Sequence, residues 1–166
     1  MGRAPRLIIE SVAAVLLFIA DLLIKSWVKR VVPTRGDIVL FRNILSLRFV
    51  KNTGAAWGLF NDNTVLLSVV VGAVLIAMAV YLVIDKDPMP LKQGCLVLIF
   101  SGGAANLVDR LLNGFVTDYI SCDFINFPVF NFADCLIVVG CIVLILYLLW
   151  DTVRDARRKK AASADG

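Results

Sequence analysis

Four runs of predominantly apolar residues divide the chain, at roughly 7–28, 64–84, 91–112 and 132–150. A helix needs about 20 such residues to cross the hydrocarbon core, so the pattern predicts a mainly α membrane protein with four transmembrane helices. The second run carries no charge from Thr64 to Ile84, whereas the third holds Asn106, Asp109 and Arg110 in its last turns. Between the first two runs, at about 36–62, the period changes. Leu45-Ser46-Leu47-Arg48-Phe49 alternates apolar and polar positions, as a half-exposed strand does. Ile38-Val39-Leu40-Phe41 offers a partner strand across a turn at Arg42-Asn43. These predict a small extracytoplasmic β-ribbon on the outer membrane face. Trp57, bracketed by Gly54 and Gly58, suits the headgroup level.

Composition removes the soluble alternatives. The chain is 60% hydrophobic with a mean hydropathy of +0.85, well above the ~45–50% apolar share of soluble domains. Its 166 residues fit a single domain spanning 1–166, with a tail at about 151–166 whose last ten or so residues read as disordered. Lys and Arg outnumber Asp and Glu by only 17 to 13, too mild an excess to expect nucleic acid as a partner. Arg154, Arg157, Arg158, Lys159 and Lys160 crowd that tail, Arg3 and Arg6 sit at the N-terminus, and 113–133 holds no basic residue. The positive-inside rule therefore puts both termini in the cytoplasm. Lys29, Arg30, Arg35, Arg42, Arg48 and Lys51, in or beside the first outer loop, point the other way. The first apolar run has no A-x-A site at its end, so an uncleaved first span is expected rather than a removed leader.

The chain has no histidine and no CxxC, so no metal or other cofactor is expected. Cys95 and Cys141 lie within apolar runs, while Cys122 and Cys135 fall near the outer surface, where their pairing is left open. Carboxylates are then the obvious proton-transfer groups. Asp118 lies on the short connection after the third run, and Asp134 stands where the fourth begins. A carboxylate near hydrocarbon is costly, roughly 2.5–3.5 kcal/mol at a helix centre, so two at that edge are candidates for function. Each also has a plain reading. With Asn131 as N-cap, Asp134 falls at the third helical position and matches a capping box; Asp118 alone is an ordinary loop carboxylate.

Helical spacing places Gly102, Asn106, Asp109, Arg110 and Asn113 within an arc of about 100°, either as helix–helix glue or as the polar wall of a reaction site. Arg110 and Asp109 are neighbours that do not face each other, so Arg110 should find its partner elsewhere. Asp21 and Lys25 stand at i,i+4 with the acid first, the better order for an ion pair. Asn52-Thr53-Gly54 is either a turn or an amide and bare backbone suited to grip an extended peptide.

Five blocks in order carry a resemblance: Asp21-x-x-x-Lys25, Asn52-x-Gly54-Ala55-Ala56-Trp57, Gly102-Gly103-Ala104-Ala105-Asn106-Leu107-Val108-Asp109-Arg110, Val116-x-Asp118-Tyr119-Ile120 and Phe130-Asn131-x-Ala133-Asp134. From about residue 7 to residue 150 the chain resembles bacterial lipoprotein signal peptidase (signal peptidase II), an aspartic protease of the inner membrane. The resemblance implies Asp118 and Asp134 as the catalytic dyad. It implies Asn52, Gly54, Asn106, Asp109, Arg110, Asn131 and, more weakly, Asp21 and Lys25 as supporting or substrate-contacting residues. It implies cleavage of prolipoproteins before a diacylglyceryl-modified cysteine near the outer leaflet, by a monomer in contact with membrane lipids. Ala105 and Tyr119 depart from the residues usual at those positions (Gly and Phe), and the connection between the two aspartates is compact. The rival expectation is a small transporter or channel subunit with an Asn106, Asp109 and Arg110 pathway.

Overall fold

The computed structural model describes residues 3–54, 63–85 and 89–162. The expectations for Trp57 and Gly58 lie outside them. The element order is α1 (Arg3–Arg35), β1 (Ile38–Phe41), β2 (Leu45–Asn52), α2 (Thr64–Ile84), α3 (Pro90–Asn113), β3 (Val116–Cys122) and α4 (Phe132–Ala162). All four helices are long and apolar enough to cross a membrane.

Two helices overrun the apolar runs that announce them. At 33 and 31 residues, α1 and α4 are each about 45–50 Å long at 1.5 Å per residue, against a hydrocarbon core of about 30 Å. The last turns of α1 carry Val28, at the edge of the apolar run, and Val32 beyond it, which pack with Tyr119 and against Leu47, Phe49 and Ile120 of the sheet. The extra turns of α4 hold the basic residues of the tail and run through Ala162, into the last ten or so residues that read as disordered. Hydropathy stops where charge begins, but Ala, Arg and Lys are good helix formers, and α4 continues.

The interior is inverted relative to a soluble protein. Large apolar residues along α1, α2 and α4 are exposed, such as Leu16, Leu23, Val69, Ile76 and Leu146, while Asp21, Lys25, Gln93, Asp109, Asp118 and Asn131 are buried. In lipid, helices associate through close packing and polar contacts. Helix α3 is central and touches the other three helices. Its Gly102 lies so close to α4 that an added Cβ would collide with the Ala133 carbonyl oxygen. Gly140 of α4 returns the contact, because a Cβ there would sit 2.9 Å from the Cys95 carbonyl oxygen.

The β element is a three-stranded antiparallel sheet in the order β1-β2-β3, not a two-stranded ribbon. The β1–β2 turn falls at Arg42-Asn43 as expected, with Ile44 N–H donating to Phe41 O at 3.0 Å and Asn43 at φ 60. The third strand is the segment expected to be a loop around Asp118. Gly114 makes it possible: at φ 77 its N–H caps Arg110 O at 2.9 Å, a left-handed end that reverses the chain. Two residues later, at Val116, β3 begins and pairs with β2. Between Leu47 and Val50 the register slips by one residue, since Leu47 faces Ile120 and Val50 faces Asp118. Such a bulge re-aims the residues beyond it.

Candidate active site

The two aspartates converge where α3, α4 and the sheet meet. The chain after β3 folds back through a bridge between Ile120 and Phe130, with Phe130 N–H donating to Ile120 O at 3.1 Å and its carbonyl accepting Tyr119 N–H at 2.9 Å. That bridge delivers Asn131 beside Asp118 and starts α4.

The first turn of α4 is held from three directions. Four N–H groups at a helix start lack intrahelical partners, and here each finds one. Phe132 N–H reaches Tyr119 Oη at 3.2 Å, Ala133 N–H reaches Asp21 Oδ1 at 2.9 Å, Asp134 N–H reaches Asn131 Oδ1 at 2.9 Å, and the N-cap's own N–H, that of Asn131, reaches the Asp134 side chain. That last bond, to Asp134 Oδ2 at 3.0 Å, completes the capping box read in the sequence. Tyr119 thus uses its hydroxyl; a phenylalanine would leave the Phe132 N–H without that partner.

Three asparagine amides tie the carboxylates together. Asn131 Nδ2 donates to Asp118 Oδ1 at 2.6 Å and to Asn106 Oδ1 at 3.2 Å. Asn106 Nδ2 donates to Asp134 Oδ1 at 2.7 Å. Asn52 Nδ2 donates to Asp118 Oδ2 at 2.9 Å while its Oδ1 accepts Gly54 N–H at 3.0 Å. Asn52 faces Val116 in the sheet register, so it reaches Asp118 along the diagonal two residues on, on the same face. Asp118 is 2% exposed, whereas Asp134, Asn106 and Asn52 are half-buried. The site therefore opens on the Asp134 side.

The environment of Asp118 favours a proton. Burial pushes its carboxyl up to about 6; the Asn52 bond opposes this, the nearby Asp134 charge adds to it, and the Asn131 bond opposes it again. Burial also raises Tyr119, so its hydroxyl stays neutral.

The remaining expected residues support this centre from behind. Asp109 accepts Thr117 N–H at 2.6 Å on Oδ2, and Lys29 at 3.0 Å and Asn113 at 2.6 Å on Oδ1, pinning the start of β3 to α3. Arg110, 7% exposed, finds its partner away from Asp109: Nη2 donates to Gly54 O at 3.1 Å. Its Nε is buried without a hydrogen-bond partner among the described residues. Asp21 and Lys25 pair at 2.8 Å deep in the bundle. Lys29, Thr117 and Tyr119 are the contributors that sequence reasoning missed. Lys29 had a signal, since Asp21, Lys25 and Lys29 follow at intervals of four and share a helix face.

Four helices long and apolar enough to span a membrane, with two carboxyl groups linked through asparagine amides, define a polytopic membrane protein. The chain belongs to the signal peptidase II family: residues 13–150 match the family described as signal peptidase (SPase) II. The lipoprotein signal peptidase of Clostridium acetobutylicum is 36% identical over 143 residues, covering 84% of this chain and 93% of that protein. That of Streptococcus pneumoniae is 34% identical over 145 residues, covering 87% and 95%. A solved bacterial membrane enzyme superposes with a TM-score of 0.78 at 28% identity, covering 86% of this chain and 88% of that one. The family makes this chain a multi-pass membrane protease, and leaves the transporter reading without support.

Proposed function

We propose that Asp118 and Asp134 are the acid–base pair with which this protease removes signal peptides from prolipoproteins, before a diacylglyceryl-modified cysteine. The observation that carries the assignment is Asn131, whose side chain bonds to Asp118 directly and to Asp134 through the Asn106 amide, while its backbone N–H donates to the Asp134 carboxylate.

Two neighbouring carboxyls resist double ionisation and share one proton. Asp134, in the first turn of a helix where the dipole favours an anion, is the ionised member. It takes a proton from the attacking water. Asp118 keeps its proton and hydrogen-bonds the scissile carbonyl oxygen as that oxygen becomes negative. Protonated Asp118 then supplies the proton to the leaving amine. General acid–base help of this kind is worth about 10²–10⁴-fold, and exclusion of water strengthens the electrostatic part. Asn52, Gly54 and Arg110 line the side where the peptide main chain enters, with Arg110 Nε available to a carbonyl.

The whole chain, residues 1–166, acts as one domain and as a monomer, with no nucleic-acid partner. Both termini face the cytoplasm and the site faces the outer leaflet. Supporting that orientation, the basic extension of α4 lies at the end of the bundle opposite the sheet. Two basic residues that argued otherwise are engaged locally: Lys29 with Asp109 at 3.0 Å, and Arg48 with Asp123 at 2.9 Å and Asp37 at 3.3 Å.

Incubation of the purified protein with a diacylated prolipoprotein and with its unlipidated form tests the substrate. Cleavage of the first alone is expected; equal cleavage of both would contradict the lipid requirement. The pH profile follows from the sign of the Asp118 shift. A proton leaving near 6 is the one the carbonyl needs, so kcat/KM should decline as pH rises through that region. In kcat the decline should come at higher pH, because bound substrate dries the site and disfavours ionisation further. Steady-state kinetics from pH 4 to 9 checks both limbs.

A further inference from the structure

Lys25 is buried to 1% exposure, beyond what an ion pair with Asp21 alone requires. A buried ion pair is weak support for stability, and a packed apolar pair often serves as well. The second contact of Lys25 is more telling. Its Nζ donates to Asn106 Oδ1 at 2.6 Å, and Asn131 Nδ2 donates to the same oxygen at 3.2 Å. An amide has one accepting and one donating end of nearly equal shape, so its orientation is set by what each end meets. With an ammonium on Oδ1, the N–H end must face away from Lys25, and it donates to Asp134 Oδ1 at 2.7 Å. Turned over, the amide would set oxygen against the Asp134 carboxylate and N–H against the ammonium.

We infer that Lys25 is a positioning residue for peptide cleavage, which fixes the Asn106 amide with its N–H toward Asp134 and thereby aims that carboxylate. The inference rests on the assignment of Asp118 and Asp134 as the reacting pair. The charge of Lys25 is met by Asp21 on its own helix, and acts also on Asp109 of α3, Asp134 of α4 and Asp118 of β3. Tyr119 faces Asp21, Arg110 faces both members of the pair, and Lys29 neutralises Asp109. Among the described residues, Lys25 is the cation bonded to an amide that itself touches the pair.

Three variants separate positioning from bulk charge. Lys25→Met keeps the length and removes both charge and donor; Lys25→Gln keeps an N–H for Asn106 without charge; Asp21→Asn with Lys25→Met removes the ion pair whole. Lys25→Met should lose about 100-fold in kcat, the scale on which small misplacements act, with KM little changed. Its acid limb should move up by about one pH unit, because a cation near carboxylates favours their ionised form. Lys25→Gln should recover part of kcat but not the pH shift. The double variant, with no unpaired charge left to disturb folding, should remain as slow as Lys25→Met. Wild-type kcat and pH profile in Lys25→Met, or full recovery of kcat in the double variant, would overturn the inference. Asp134→Asn measured in parallel separates the two levels. If it still cleaves, the acid–base assignment falls; if it is dead while Lys25→Met is normal, only the role of Lys25 falls.

Discussion

Asp134→Asn should abolish cleavage of a diacylated prolipoprotein, with a loss of about 10⁴-fold or more in kcat, while the protein still inserts and folds. The loss is expected at the upper end of general acid–base effects, because the amide can neither accept the proton of water nor hand it on. Folding should survive: Asn at this position still offers an oxygen to the Asn131 N–H that Asp134 now accepts at 3.0 Å. The bond lost is the one Asn106 Nδ2 makes to the carboxylate at 2.7 Å, and a hydrogen bond to a charged group is worth about 1.5–3 kcal/mol, too little to unfold a four-helix bundle. Asp118→Asn should fall similarly, since the carbonyl oxygen then loses its acid. The double variant should be little worse than either single one, because residues acting as a unit are non-additive. Gel-based cleavage beside a thermal melt checks all three.

The second large effect belongs to a residue that performs no chemistry itself. Asn131→Ala removes the N-cap of α4, the bond to Asp118 at 2.6 Å and the bond to Asn106 at 3.2 Å together. Loss of the cap costs about 0.5–2 kcal/mol. Activity should fall further than stability, by about 100-fold, because both carboxylates lose a shared anchor. Asn131→Asp keeps a capping oxygen, which separates the two roles. Its melting temperature should approach wild type, but its cleavage should not recover, since a third carboxylate would face Asp118. Recovery of cleavage in Asn131→Asp would show that capping alone matters there.

Particular residues show what the chain discloses and what it withholds. The four spans, the turn at Arg42-Asn43, the ion pair of Asp21 with Lys25 and the capping box at Asn131 and Asp134 are local patterns, and the fold keeps them. Convergence of Asp118 and Asp134 follows from the family resemblance more than from composition or periodicity. The third strand was not legible because β3 is buried on both faces through Tyr119, so Val116 to Cys122 lacks the alternation that marks β2. Its pairing with β2 depends on Gly114 reversing the chain and on Asp109 holding Thr117 N–H. The overrunning ends of α1 and α4 were missed for a related reason: hydropathy tracks lipid, whereas helix propensity and packing on the sheet decide where these helices stop. Tyr119 serving the first turn of α4 is a contact across the fold that spacing along the chain does not encode, whereas Lys29 shares its helix face with Asp21 and Lys25 but shows nothing in sequence of its partner Asp109.

One measurement bears most directly on the shared proton. Carboxyl-resolved infrared titration of the wild type, Asp118→Asn and Asp134→Asn reads the protonation of the pair itself. The expected result is a carboxyl proton present at pH 5, released near 6, absent in Asp118→Asn, and released at lower pH in Asp134→Asn because the neighbouring charge is gone. Both carboxyls already ionised at pH 5, or an Asp118 titration unmoved by loss of Asp134, would contradict a proton held in common by these two acids.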